Sequence, residues 1–461
     1  MHKLFRSLLI SSAFALGSTS FAQEAKPNIL LFFIDDLGWT DIGVNGSTFY
    51  ETPNIDALAA GGVNFTHSYS ANPVCSPTRA AMMTGKAPQR VGITQWIPSG
   101  SKIGLPLSEE TIGEAFLENG YRTGYVGKWH LGKQDNMQPQ YQGFEYTKAV
   151  NRAGQPASFF YPFGKGKAGS SVPDLKDYKK GDYLTDAVTD KAIEFIDQSD
   201  KKPFFLCLAH YAVHTPIQAP QPLVEKYEAK KLKLLGKGKP GMIEEKYNTL
   251  SRAEQGDPAY AAMVENLDTN IGRVLDHLKE KGMLENTIVV FTSDNGGLAH
   301  RKREGGPTSN APLRSGKAFT YEGGIRIPTI FSWPGKIASA TSEANIITMD
   351  MYPTLLDLAG LPLKPKQHLD GQSLKAILNG GEGDENRVLA WTYPHIHGNG
   401  HQPSDAILSK DWKLIRFESD EPSELYDLSN DLGERSNLAK QNPEKVQELA
   451  KLLDQWLKET K

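Results

Sequence analysis

The chain has only two cysteines in 461 residues, Cys75 and Cys207. Two cannot make a disulfide framework, and a chain this long can bury a large core without one. Neither sign of charge is in surplus, with 51 Lys and Arg against 54 Asp and Glu. That balance gives no support for a nucleic acid or an anionic membrane as partner. Past the first residues no apolar run has the length needed to cross a bilayer, and there is no internal repeat and no acidic or basic tail. One segment is biased in composition, the Lys- and Gly-rich "EAKKLKLLGKGKPGMIEEKY". It reads as a solvated surface excursion.

What is present begins with a leader. Lys3 and Arg6 precede the apolar "LLISSAFALG", and "STSFAQ" sets small Ser20 and Ala22 where a signal peptidase cuts. Residues 1–22 therefore read as a secretory signal peptide, too short for a membrane span. The mature chain, from Gln23, is expected in the periplasm or secreted, with no membrane anchorage.

Four apolar runs then end in polar residues: "NILLFFIDD", "YRTGYVGKWHLG", "KPFFLCLAHYAVHTP" and "NTIVVFTSDNGG". None alternates polar with apolar, and amphipathic helical patterns such as "LTDAVTDKAIEFIDQ" lie between them. This predicts an α/β fold, a large and mostly parallel sheet sandwiched by helices. In such sheets ligands collect at the carboxyl ends of the strands. Those ends carry Asp35 and Asp36, Lys128 and His130, His214, and Asp294 and Asn295. Past about residue 382 the elements shorten to hairpin spacing and close on the helical "PEKVQELAKLLDQWLKE". A catalytic domain over 23–382 and a small antiparallel sheet plus helix over 383–461 are expected, joined at "NGGEGDEN".

Asp35, Asp36, Asp294 and Asn295 offer only oxygen ligands, which suits Ca²⁺ or Mg²⁺ better than zinc or copper. Each pair alone could equally cap a helix or turn. Two such pairs at equivalent ends of buried strands would crowd like charges unless a cation lay between them. Arg79, Lys128, His130, His214 and Lys317 together would make a cationic pocket beside that ion, suited to a sulfate or phosphate ester. Cys75 lies in the Pro-flanked "NPVCSPTRAAMMTG" before a helix-like run. It reads as a free loop thiol, as half of a Cys75–Cys207 bridge, or as a reactive group at a helix N-terminus beside an arginine.

The residues "CSPTR" from Cys75 to Arg79, followed by "AAMMTGKAPQRVG", resemble the signature of the type I sulfatases. "PNILLFFIDDLGWTDIG", "GYRTGYVGKWHLG", "FTSDNGG", "GGIRIPTIFSWPG" and "SELYDLSNDLGERSNLA" are similar to that family in its usual order. The resemblance implies an alkaline phosphatase-like fold and a Cys75 exposed on its loop, which a maturation enzyme converts to Cα-formylglycine before export. It implies one Ca²⁺, held by Asp35, Asp36, Asp294, Asn295 and the modified Cys75. It further implies Asp294 as base, Arg79 holding the nucleophile, Lys128 neutralising the sulfate, His214 or Lys317 protonating the leaving group, and His130 regenerating the aldehyde.

Sulfated carbohydrate is the substrate class the resemblance implies, with galactose or N-acetylgalactosamine sulfates suggested by the loops. Trp96 in "TQWIPSGSKIG" and His395, His397 and His401 in "WTYPHIHGNGHQPSDAI" are candidate sugar-binding residues. A phosphate or phosphonate monoester hydrolase of the same superfamily, or a non-catalytic carbohydrate-binding relative, are the alternatives.

Overall fold

The four apolar runs that end in polar residues are consecutive neighbours in one sheet. The computed structural model describes residues 25–461 apart from 99, 166, 168, 169, 173, 200, 201, 239 and 303. The expected signal peptide lies outside the described residues. In chain order the main sheet uses β1 (Asn28–Ile34), β2 (Val63–Phe65), β3 (Arg122–Gly127), β4 (Tyr146–Lys148), β5 (Phe204–Ala209), β6 (Thr287–Ser293), β7 (Thr329–Ser332) and β8 (Ala340–Ser342). They lie side by side as β8-β2-β7-β6-β1-β5-β3-β4. From β6 to β4 every pairing is parallel, while β7 runs antiparallel to both β6 and β2.

Residues alternate across the pleat of β1, and both faces are covered, which is why this strand has no polar position after Asn28. Leu30, Phe32 and Ile34 face helices Leu184–Asp197 and Pro258–Glu280. Ile29, Leu31 and Phe33 face Cys75–Thr84, Ile112–Glu118 and Met351–Leu358. The helices start where the sequence caps them. Asp257 accepts from the amides of Ala259 and Tyr260, and Thr111 and Glu114 form a capping box. The Lys-rich excursion carries regular structure: its first part completes a largely exposed helix, Gln221–Leu235, and its end forms the strand Met242–Glu245.

The C-terminal region is the expected antiparallel sheet and helix. Strands β9 (Val388–Tyr393), β10 (Ser404–Ser409), β11 (Trp412–Phe417) and β12 (Glu424–Asp427) form a meander. One face takes Leu449 and Leu453 of the helix Pro443–Glu459. The other face rests on the main body, where Trp391 Nε1 donates to the Ser70 carbonyl at 2.7 Å. Lys413, fully buried, is held there between Glu322 at 2.9 Å and Glu434 at 2.8 Å. Among the described residues no helix is long and apolar enough to cross a membrane.

His210, just past β5, is fully buried with no hydrogen-bond partner on either ring nitrogen. Burial takes its pKa from 6.5 down to about 3. Between those values the unfolded chain binds a proton that the folded chain does not, so stability falls as pH drops below the unfolded value. By about pH 5 this one group is expected to cost about 2 kcal/mol. Denaturant titrations of the wild type and His210→Leu at neutral pH and in mild acid check it. The variant, whatever its baseline, should lose less stability on acidification; equal losses would refute the assignment.

Candidate active site

Strand register brings the polar ends together. Ile34 pairs with Ser293, so Asp35 and Asp294 emerge side by side, and the Asp294 amide donates to the Ile34 carbonyl at 3.0 Å. Gly127 pairs with Ala209, and the Lys128 amide donates to the Ala209 carbonyl at 2.7 Å. Lys128 and His130 flank Trp129, whose ring turns into the core while its Nε1 donates to the Met137 carbonyl at 2.8 Å. Asp36 and His130 are both in left-handed backbone conformations, at φ of 60° and 57°. Non-glycine residues held there store strain, and such strain clusters at functional sites.

Cys75 differs from the expectation of an exposed loop. It is the first residue of the helix Cys75–Thr84 and only 3% exposed, although its side chain reaches the cleft. The bridge to Cys207 is not formed; both thiols are free, and Cys207 is a core residue of β5. Thr78 locks the turn, with its hydroxyl accepting from the Asn72 amide at 3.1 Å. Lys317 arrives on a loop tied to the same turn, since the Ala318 amide donates to the Pro73 carbonyl at 2.8 Å.

Beneath Cys75 lies a layer of ion pairs. Arg79 donates from Nε to Asp294 at 2.8 Å and from Nη1 to the Lys128 carbonyl at 2.8 Å, over the ring of Phe33. Lys128 donates to both oxygens of Asp35, at 2.6 and 2.7 Å. Lys317 donates to Asp36 at 2.6 Å, and Asn295 Nδ2 donates to the same oxygen at 2.9 Å. Burial acts to raise Asp36, but Lys317, His214 and Lys128 overcome it and hold that carboxylate below its usual range. For Asp35 burial dominates over Lys128, and the charges of Asp294 and Asp36 add to it, so its pKa is raised well above normal.

These residues fit a hard divalent cation. Carboxylate oxygens of Asp35 and Asp294 and Sγ of Cys75 lie within 4.8 Å of one another, as do ligand atoms of Asp35, Asp36 and His214. Among the described residues Asp36 Oδ2 and Asn295 Oδ1 are buried acceptors without a donor. A buried carboxylate that desolvation and the charges of its neighbours raise, as they raise Asp35, with orphaned oxygens beside it, is what a cation compensates.

Above this layer opens a cleft of about 480 Å³. Cys75, Asp36, His130, His214 and Lys317 line its inner end, and Trp96 and His397 stand on its wall. Arg79, Lys128, Asp35 and Asp294 sit behind them. The remaining two histidines of the C-terminal loop do not reach the wall. His395 is beside Thr94 at 2.9 Å, and His401 is turned inward against Phe319 and Tyr393. Sequence reading missed Gly154, where a Cβ would meet the His130 ring at 2.2 Å, so only glycine lets this loop close over the imidazole. It also missed Lys133, Gln155 and Arg301 on the wall; these carry no local signal in the sequence.

The histidines differ from the lysine in protonation. His130 is pushed well below its normal value by burial and by Lys128 and Arg79. Its Nε2 faces the Ile97 carbonyl at 3.2 Å and so must carry the proton, leaving Nδ1 as the basic atom. Burial takes His214 to about 3 despite Asp36. Lys317 behaves in the opposite way: burial acts to lower it, but Asp36 together with Cys75, Asp35 and Asp294 overcomes burial and keeps its ammonium protonated.

A floor of buried carboxylates and cations at the carboxyl ends of parallel strands, in an alkaline phosphatase-like fold, defines a hydrolase of tetrahedral oxyanion esters. The chain belongs to the sulfatase family, whose profile matches residues 27–361, and it is a sulfuric ester hydrolase. The profile of the C-terminal region of N-sulphoglucosamine sulphohydrolase matches residues 315–461. A sulfatase of Formosa agariphila is 33% identical, over 95% of this chain and 88% of its own. The N-acetylgalactosamine-6-sulfatase of Canis lupus familiaris is 35% identical, over 82% of this chain and 70% of its own. The structure of Ps i-CgsB in complex with k-i-k-neocarrahexaose superposes with a TM-score of 0.79 at 31% identity, covering 94% of this chain and 92% of that one.

Proposed function

We propose that the protein is an exported sulfatase that removes sulfate from sulfated carbohydrates, galactose or N-acetylgalactosamine esters being the first to try. In this reading residues 1–22 are the leader, 23–382 the catalytic domain and 383–461 a C-terminal subdomain. Cys75 is converted to Cα-formylglycine, and Asp35, Asp36, Asp294 and Asn295 hold Ca²⁺ with it. The observation that carries the reading is the position of Cys75 at the inner end of the cleft, at a helix N-terminus, within 4.8 Å of carboxylate oxygens of Asp35 and Asp294. When bound, the ion would polarise the sulfate and the hydrated aldehyde would supply the attacking oxygen.

The chain's own residues do the rest. Arg79 and Lys128 fix Asp294 and Asp35 through buried ion pairs and bring positive charge to the sulfate end of the cleft. Asp294, with a carboxylate oxygen within 4.8 Å of Cys75 Sγ, is the proposed base. His130 Nδ1 is a neutral, partnerless acceptor suited to taking a proton late in the cycle. Lys317 Nζ holds the proton for the leaving oxygen; His214, neutral, is better suited to orienting that oxygen.

Purified protein should release sulfate from at least one member of a panel of sulfated galactan and glycosaminoglycan oligosaccharides. It should turn over aryl sulfate faster than aryl phosphate. The reverse preference, or no sulfate release from any member, would sink the reading.

The leaving-group role gives a sharper result. Lys317→Ala is expected to lose about 10²-fold or more in kcat/KM on a sugar sulfate, whose alkoxide needs a proton. The loss on an aryl sulfate should be smaller, because phenolate leaves unaided. Equal losses on both esters would remove Lys317 from that role.

A further inference from the structure

The cleft carries a charge imbalance that the chemistry at its inner end leaves unused. Its lining includes one carboxylate, Asp36, and three cations, Lys133, Arg301 and Lys317. Lys317 is matched to Asp36 at 2.6 Å. In the layer beneath, Arg79 is matched to Asp294 and Lys128 to Asp35, at 2.8 and 2.6 Å. The three histidines of the lining, His130, His214 and His397, can supply no negative charge.

That leaves Lys133 and Arg301. Among the described residues neither has a carboxylate within ion-pair distance, although both stand on the wall of a concave site. Lys133 is also half-buried, and dehydration pulls its ammonium below the ordinary lysine value. A cation kept partly dry without a counterion is costly, and an arriving anion reverses that cost. Trp96, 40% exposed, offers a flat apolar face on the same wall. A cleft of about 480 Å³ has room for much more than one sulfate group.

We propose that Lys133 and Arg301 form a second anion subsite. It takes a further negative group of the same saccharide, a sulfate ester or a carboxylate, and so selects polyanionic chains over singly charged sugars. This rests on the reading that the substrate is a sulfated carbohydrate. The pair touches no reacting atom; its contribution is recognition at a distance from the ester that is cleaved, strongest for Arg301 where the anion can meet the guanidinium fork.

The test is calorimetric binding of three tetrasaccharides to the full chain: ι-carrageenan, with sulfates and no carboxylate, hyaluronan, with carboxylates and no sulfate, and neutral agarose. At least one anionic tetrasaccharide should bind the wild type about tenfold or more tightly than the neutral one, and which of them does so names the anion. Lys133→Ala/Arg301→Ala should abolish that preference, and Lys133→Arg/Arg301→Lys should retain most of it. Raised salt should erode the preference in the wild type only. The proposal is overturned if the wild type shows no preference for either anionic saccharide. It is also overturned if the double alanine variant keeps the preference, or loses the neutral ligand just as strongly. Sulfate release from 4-nitrophenyl sulfate by the same wild-type preparation reports separately on the sulfatase reading. Its absence would count against that reading and leave the binding result standing.

Discussion

Cys75→Ala is expected to lose sulfate release by a factor of about 10³ or more in kcat/KM, on sugar and aryl esters alike. The reason is positional. Among the described residues Cys75 is the one cysteine that lines the cleft, and its Sγ lies within 4.8 Å of carboxylate oxygens of Asp35 and Asp294. The fold should survive, because the side chain is small and the cavity left at the helix start costs about 1 kcal/mol. Peptide mass spectrometry of the active wild type should find residue 75 as the aldehyde or its hydrate, with Cys207 an ordinary thiol. An active preparation carrying only unmodified Cys75, or an alanine variant of undiminished turnover, would overturn the nucleophile assignment. Burial raises the pKa of the unmodified thiol, so an unconverted Cys75 is a poor nucleophile in its own right.

Asp294→Ala should damage the protein twice over. It removes a proposed calcium ligand and base, and it leaves Arg79, whose guanidinium is 1% exposed and spends Nε and Nη2 on this carboxylate, with Asp35 at 4.0 Å as its remaining counterion. Breaking a buried ion pair by removing one partner typically costs about 3–5 kcal/mol. The expected outcome is loss of turnover, loss of the calorimetric signal for Ca²⁺, and a lowered melting temperature. Asp294→Asn keeps a hydrogen-bond acceptor for Arg79 and should recover part of the stability without recovering activity. A variant that binds Ca²⁺ and turns over as the wild type does would show that the two strand-end clusters are not one site.

The sheet was legible because burial on both faces leaves a signature: runs without alternation, each broken by polar residues where the strand emerges. Asp35, Lys128 and Asp294 could be brought together from that signature alone, since parallel strands expose equivalent ends on one edge. The depth of Cys75 was not legible. Pro77 suggests a loop, yet in a first helical turn proline forfeits only an amide hydrogen that the helix would not bond, so the helix begins at Cys75 itself. The C-terminal loop was legible only in part. Whether His397 or His401 meets the cleft depends on how the chain reverses between β9 and β10, and spacing does not encode that direction. Lys133 and Arg301 were invisible for a similar reason, arriving from the connection after β3 and from the separate short strand His300–Lys302.

The inner end of the cleft draws on a chain segment from Asp35 to Lys317, and its floor exists only once strands separated by some 250 residues have paired, as Asp36 with Asp294 are separated by 258. On the proposed reading that Cys75 is converted to formylglycine, folding sets a deadline for it. While the chain is still extended, "CSPTR" would be a short linear epitope for a modifying enzyme to grip; after the sheet closes, the same thiol is 3% exposed at the inner end of the cleft. Under that proposal conversion and folding compete for one residue in time, and a molecule that folded first would be sealed in its unconverted form.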